Sequence, residues 1–171
     1  FFYASTIVSV PLSLLVMPVT TMAFPRMVNA FGRDRSIGFA MLWKQGLVLL
    51  AVSVTVVAVV SVFAESIVEL IFVRGKFSLE HARFTASILS ITVWALPFMS
   101  LGRVFRNSCY ALSDYRTPMV GLALQWLLLA GLGVVLVPRV GVQGLAIAIV
   151  AGEAATSVAM GSRLAMVLRS A

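Results

Sequence analysis

Five long apolar stretches limit what this chain can fold into. A helix needs about 20 apolar residues to cross the hydrocarbon core of a bilayer. The stretches cover residues 1–25, 45–64, 84–102, 117–138 and 140–162. The first four contain no charged residue, and the fifth contains only Glu153. We therefore predict five transmembrane segments.

The segments are predicted to be helices. A single strand would leave its backbone groups without hydrogen bonds in lipid, and the apolar runs lack the polar alternation of a membrane barrel strand. With 61% hydrophobic and 11% charged residues, the composition does not fit an ordinary soluble domain. The predicted fold class is an all-α, polytopic membrane helical bundle.

Several functional classes are excluded by residue type and distribution. The net charge of +7 resembles that of a nucleic-acid binder, but the cations lie between apolar runs and form no basic patch beside a separate core. Cys109 and His81 are the only residues of their types, so this chain cannot assemble a Cys/His metal cluster. We predict no enzyme activity, no cofactor, no metal and no nucleic-acid partner.

The chain begins with FFYAST, without an initiator methionine or a basic region before the apolar run. This pattern is not that of a signal peptide. We expect the sequence to be a piece of a larger membrane protein.

The distribution of Lys and Arg predicts the orientation. Nine cations lie on one side of the predicted membrane: Arg26, Arg33, Arg35, Lys44, Arg103, Arg106, Arg116, Arg163 and Arg169. Four lie on the other: Arg74, Lys76, Arg83 and Arg139. Because the side richer in cations is normally cytoplasmic, the C-terminal end is predicted to be cytoplasmic.

A polar turn follows the second apolar stretch, in the sequence IFVRGKFS of residues 71–78. Residues 64–72 are expected to extend the second helix beyond the membrane, and Gly75 can end it in the left-handed conformation. Arg74 and Lys76 are candidates to contact an anionic headgroup. The alternative is that both only anchor helix ends at the interface.

The first stretch carries a stripe of hydroxyl groups. At 100° per residue, Thr6, Ser9, Ser13 and Thr20 share one face. Pro11, Pro18 and Pro25 recur on the opposite face and are expected to bend the helix. This face would suit the wall of a polar substrate pathway. The alternative is that the hydroxyls bond to carbonyls of their own helix or pack against a neighbour.

Two further groups are candidate site residues. Glu153 is an ionisable residue within a span and is therefore a candidate for the substrate pathway. The alternative is a protonated glutamate that is hydrogen-bonded to another helix, with Gln125 in the fourth span as a possible partner. Arg103, Arg106, Asn107 and Tyr110 form a stripe at the end of the third span. Arg103 could contact a headgroup, or the stripe could serve only as an interfacial anchor.

Small residues and a proline indicate how spans pack and bend. Gly144, Ala148, Gly152 and Thr156 recur every four residues and predict close helix packing. Pro97 is expected to bend the third span.

Four segments follow one another along the chain: PLSLLVMPVTTMAFPRM, LIFVRGKFS, CYALSDYRTPM and VPRVGVQGLAIA. In this order they resemble the MurJ/MviN lipid II flippases. The resemblance covers nearly all of residues 1–171, as five helices forming most of the C-terminal lobe of a two-lobe flippase. Where the family usually has a charged or strongly polar pair after Ala4, this chain has Ser5 and Thr6.

The resemblance implies that the protein flips a lipid-linked saccharide precursor, above all lipid II, by alternating access. It implies a multi-pass protein of the bacterial cytoplasmic (inner) membrane. The implied partners are a polyprenyl-linked saccharide lipid, membrane lipids and the N-terminal lobe that precedes this region. The resemblance places the Arg74 and Lys76 turn at the outer mouth of the pathway.

Three alternatives remain open. The protein could be a polysaccharide-unit flippase or a cation-coupled multidrug antiporter of the same superfamily; Glu153 suits the antiporter. It could also be a non-transporting membrane scaffold.

Overall fold

The computed structural model describes residues 2–72 and 79–169, and all regular structure in these ranges is helical. The helices are α1 (Phe2–Pro11), α2 (Met17–Arg33), α3 (Arg35–Phe72), α4 (Leu79–Thr92), α5 (Ala95–Ala111), α6 (Arg116–Val140) and α7 (Val142–Arg169). One π-helical turn, Leu12–Val16, joins α1 to α2. Arg74 and Lys76 lie outside the described residues, as does Gly75.

Five helical segments within the described ranges are long and apolar enough to cross a membrane. They are Ser5–Arg33, Arg35–Ile71, Arg83–Ala111, Arg116–Val140 and Val142–Val167. The first therefore combines α1, the π turn and α2, and the third combines α4 and α5. The predicted all-α membrane bundle is confirmed.

The helices extend beyond the apolar stretches into the basic segments. α2 ends at Arg33 and α3 begins at Arg35, so only Asp34 separates them, with an extended backbone (φ −157°, ψ 129°). The Asp34 carboxylate accepts a hydrogen bond from the Ser36 backbone N–H at 2.7 Å, which caps the start of α3. The first basic segment is thus mostly helical.

Two of the spans are interrupted. α3 continues to Phe72, in agreement with the expected extension of the second helix beyond its apolar stretch. Within α3, the backbone leaves the helical region at Phe63 (φ −107°, ψ 17°). The third span is interrupted between Thr92 and Ala95. Pro97 therefore lies in the first turn of α5, where its missing N–H costs little. The bend that was expected at Pro97 lies a few residues before it.

The packing fixes the relative direction of the spans. α1 packs against α4, and α2 packs against α5, so the first and third spans run parallel. This agrees with the odd-numbered spans sharing a direction. In the most apolar part of the third span, 56% of the residues are buried within the protein. In the corresponding part of α6, only 6% are buried. The third span is therefore central, and α6 lies at the edge of the described bundle.

α6 and α7 form an antiparallel hairpin. Its turn is at Gly141, which has a positive φ of 64° that favours glycine. A Cβ atom at Gly144 would lie 2.7 Å from the backbone of Leu136, so the two helices approach closely there. Gly144, Ala148, Gly152 and Thr156 are all buried. The predicted small-residue ridge is confirmed.

Candidate functional site

The hydroxyl stripe of the first span bonds largely to its own helix. Ser9 donates a hydrogen bond to the Thr6 carbonyl at 2.7 Å, and Ser13 donates to the Val10 carbonyl at 3.0 Å. Thr20 donates to the Val16 carbonyl at 2.8 Å. These contacts match the alternative in which the hydroxyls satisfy local carbonyls.

The π turn separates the stripe into two parts. Its wider turn changes the face presented by the residues that follow it. Thr6, Ser9 and Ser13 are exposed in the described bundle, whereas Thr20 is buried. The single stripe expected from a uniform helical period is therefore not present, because the period changes after Pro11.

A groove of about 470 Å³ lies between α2 and α5, and we call it the cation groove. Its lining residues are Thr20, Thr21, Phe24, Pro25, Arg103, Arg106, Asn107 and Tyr110. The structure thus brings together one predicted pathway residue, Thr20, and one predicted headgroup contact, Arg103. Its side chains offer two guanidinium groups, an amide and hydroxyls. Such a set of donors suits anionic oxygen atoms.

One hydrogen bond joins the two walls of the cation groove. The side-chain amide of Asn107 donates to the Thr20 carbonyl at 3.3 Å. Thr20 lies in the first turn of α2, so this bond ties the middle of the first span to α5. Asn107 was predicted only as a member of a stripe that either anchors the helix at the interface or contacts a headgroup. Its i+4 spacing from Arg103 was the available signal.

Close packing between α5 and α7 places the arginines beside the fifth span. A Cβ atom at Gly102 would lie 3.0 Å from the Ser157 hydroxyl oxygen. That hydroxyl donates a hydrogen bond to the Phe98 carbonyl at 2.6 Å. The backbone around Arg103 is therefore held directly against α7.

Glu153 and Gln125 form a polar pair between the fourth and fifth spans. The Gln125 amide donates to Glu153 Oε1 at 2.6 Å, and the Glu153 side chain is only 8% exposed. Arg103 and Arg106 both interact electrostatically with the Glu153 carboxylate. The predicted pair is therefore formed, and it lies beside the cation groove. Its part in transport remains a prediction.

A capping turn between α5 and α6 holds the start of α6. Asp114 accepts hydrogen bonds from the Thr117 hydroxyl at 2.6 Å and from the backbone N–H groups of Thr117 and Arg116 at 3.1 Å. The Thr117 hydroxyl bond is the main reason why the pKa of Asp114 is lowered from its ordinary value. Tyr110 and Tyr115 stack across the same turn, with ring centroids 5.8 Å apart. The sequence DYRTP, residues 114–118, thus caps the start of α6.

The sequence profile of the lipid II flippase MurJ family matches residues 1–167. The chain belongs to this family. It is 31% identical over 161 residues to a probable lipid II flippase MurJ of Rhizobium meliloti (strain 1021), with 88% of this chain and 28% of the relative covered. It is 26% identical over 147 residues to a probable MurJ of Bdellovibrio bacteriovorus, with 85% and 28% covered.

A solved structure supports the MurJ fold. A lipid II flippase MurJ in an inward closed conformation superposes with a TM-score of 0.87 at 19% identity, covering 95% of this chain and 34% of that one. This likeness shows the fold. The chain spans between about a quarter and a third of the length of these MurJ proteins.

Proposed function

We propose that the protein containing this chain flips lipid II across the bacterial cytoplasmic membrane by alternating access. The observation that carries the proposal is the family match over residues 1–167. The cation groove supports it, because it places two arginines among polar side chains in a bundle that is otherwise strongly apolar.

The chemistry of the substrate explains why such a groove is needed. Lipid II carries a saccharide on a pyrophosphate, and bringing these groups into hydrocarbon without partners would cost many kcal/mol. Arg103 and Arg106 would offset part of that cost by donating to phosphate oxygens. The polyprenyl tail would remain in lipid while the headgroup crosses.

The other candidate residues would extend this polar path. Thr6, Ser9 and Ser13 lie on the exposed side of the first span, where we propose that they face the central cavity. Gln125 and Glu153 would hold Arg103 and Arg106 in place electrostatically. Arg74 and Lys76 would contact the headgroup at the outer mouth.

The rest of the transport unit would come from the preceding lobe. Relatives of this chain are more than three times its aligned length, which supports a two-lobe protein. We propose that this lobe rocks against an N-terminal lobe, with the C-terminal end of α7 in the cytoplasm.

Depletion of the full-length protein in its native host tests the proposal. Lipid II is expected to accumulate in the inner leaflet, measured by the accessibility of its headgroup to an externally added modifying enzyme. Complementation with the wild-type gene should make the lipid II headgroup accessible to the external enzyme again. Complementation with the Arg103→Gln variant should restore this accessibility only partly. Arg139→Gln, which removes a cation outside the groove, is the matched control.

Three outcomes would replace this proposal. Accumulation of a different polyprenyl-linked saccharide would indicate a polysaccharide-unit flippase. Loss of cationic drug efflux with normal lipid II distribution would indicate an antiporter. Normal distribution of every precursor and of drugs would indicate a scaffold.

A further inference from the structure

A second groove lies between the first half of α6 and the last half of α7. It has a volume of about 300 Å³ and shares no lining residue with the cation groove. Val120, Leu124 and Met160 line its apolar part. Arg116 and Arg163 line it as well, and both are exposed. We call it the hairpin groove.

The two arginines keep the capacity to bind an anion. The nearby acid is Asp114, whose oxygens already accept hydrogen bonds from the Thr117 hydroxyl and from two backbone N–H groups. The charge of Arg163 is the smallest of the contributions to the ionisation of Asp114. Asp114 therefore serves mainly to cap α6 and leaves Arg163 available to an outside phosphate.

The groove has the length of one lipid leaflet. Arg116 and Leu124 are separated by eight residues of α6, which at 1.5 Å per residue is about 12 Å along the helix. Half the hydrocarbon core of a bilayer is about 15 Å thick. A phosphate bound at Arg116 would therefore place an acyl chain alongside Val120 and Leu124.

The surrounding surface faces away from the described bundle. Val120 is 68% exposed and Met119 is 71% exposed. α6 packs mainly on α7 and only slightly on α5, so most of its apolar surface is not covered by the described helices. Apolar side chains on a membrane-spanning helix with a pair of cations at one end fit a lipid molecule lying lengthwise.

We propose that the hairpin groove binds one anionic phospholipid, with its phosphate on Arg116 and Arg163 and one acyl chain along Val120 and Leu124. A zwitterionic lipid carries an ammonium group beside its phosphate, and the two arginines would repel that group. The site is therefore selective for net negative charge. This proposal does not depend on which lipid the protein transports.

Native mass spectrometry of the full-length protein in detergent tests the site. Phosphatidylglycerol and phosphatidylcholine with identical acyl chains are titrated separately, and bound lipid is counted. Phosphatidylglycerol should give one adduct that survives higher collision energy than any phosphatidylcholine adduct. Arg116→Gln/Arg163→Gln should weaken that adduct about 30-fold, from about 1 kcal/mol per arginine near anionic lipid.

Two controls separate the headgroup contact from general charge and from folding. Arg83→Gln/Arg139→Gln removes the same charge from the other end of the spans and should leave the adduct unchanged. Val120→Trp keeps both arginines, fills the groove from an exposed position and should also remove the adduct. Circular dichroism of every variant checks that the helices are retained.

Four results would overturn the proposal. The first is equal retention of both lipids by the wild-type protein, and the second is equal weakening by the two double variants. The third is displacement of the lipid by millimolar inorganic phosphate, which would mean that the apolar groove contributes nothing. The fourth is stoichiometric replacement by a polyprenyl pyrophosphate, which would make the groove part of the substrate pathway.

Discussion

Replacing Gln125 by leucine tests whether the polar pair between the fourth and fifth spans is a charged interaction. Gln125 donates to Glu153 Oε1 at 2.6 Å, which is a short hydrogen bond for an amide donor. Two arginines lie near enough to interact with the carboxylate. If Glu153 is ionised, removing its amide donor should lower the free energy of unfolding by about 2 kcal/mol, which is near the middle of the range for hydrogen bonds to charged groups.

The same substitution should cost much less once the charge is removed. In a Glu153→Gln background the remaining bond joins two neutral amides, and such bonds within membranes average about 0.6 kcal/mol. The difference between the two costs predicts a coupling energy of about 1.4 kcal/mol. Leucine has a similar size to glutamine, so little of either cost should come from packing.

Unfolding in mixed micelles with increasing dodecyl sulfate measures these free energies. Far-ultraviolet circular dichroism measures the loss of helix. The fluorescence of Trp126, which is next to the substituted residue, measures the unfolding of the α6–α7 hairpin. The four proteins are the wild type, Gln125→Leu, Glu153→Gln and the double variant. Equal costs of Gln125→Leu in the two backgrounds, within about 0.5 kcal/mol, would refute a charged pair.

A neutral pair in the same protein provides the matched control. Gln143 donates to the Ser87 hydroxyl at 3.2 Å between α7 and α4. Gln143→Leu should cost about 0.6 kcal/mol. That cost should not change when Glu153 is replaced by glutamine.

Three other perturbations test the fold and the orientation of the first span. Gly144→Ala places a Cβ atom 2.7 Å from the α6 backbone, so it should destabilise the hairpin by about 1–3 kcal/mol. Gly131→Ala, with open space at its Cβ position, should not destabilise it. Unfolding in mixed micelles compares the two variants. Asp114→Ala should cost about 1 kcal/mol near neutral pH. Because the pKa of Asp114 is lowered on folding, its contribution is present above the unfolded pKa of about 3.9 and is lost as pH falls through the folded value, so melting curves of wild type and variant should converge in acid. In a background lacking native cysteines, Ser9→Cys should react with a water-soluble thiol reagent faster than Leu14→Cys. Equal rates would contradict the proposal that Ser9 faces the central cavity.

The number and type of spans were predictable from the sequence because lipid leaves a backbone few choices. A charge-free run such as 45–64 must satisfy its own hydrogen bonds, and the helix does so within one segment. Helix ends were less predictable. Hydropathy marks where side chains leave lipid, whereas α3 begins at Arg35 and ends at Phe72, beyond the charge-free run on both sides.

The candidate site was predictable in parts. Gln125 and Glu153 were recognisable as a pair because each is a polar residue isolated in an apolar span. The convergence of Thr20 and Arg103 on one groove required the packing of α2 against α5. The division of the hydroxyl stripe was missed because a uniform period of 100° per residue was applied across the π turn at Leu12–Val16.

The π turn also divides the first span mechanically. Its N-terminal half rests on α4, whereas its C-terminal half rests on α5 and is tied to it by the Asn107 bond. A bend at Leu12–Val16 would therefore move α1 relative to α2, while α2 stays packed against α5, which carries Arg103 and Arg106. The π turn is therefore the position at which the first span would bend, with the part C-terminal to it fixed against α5.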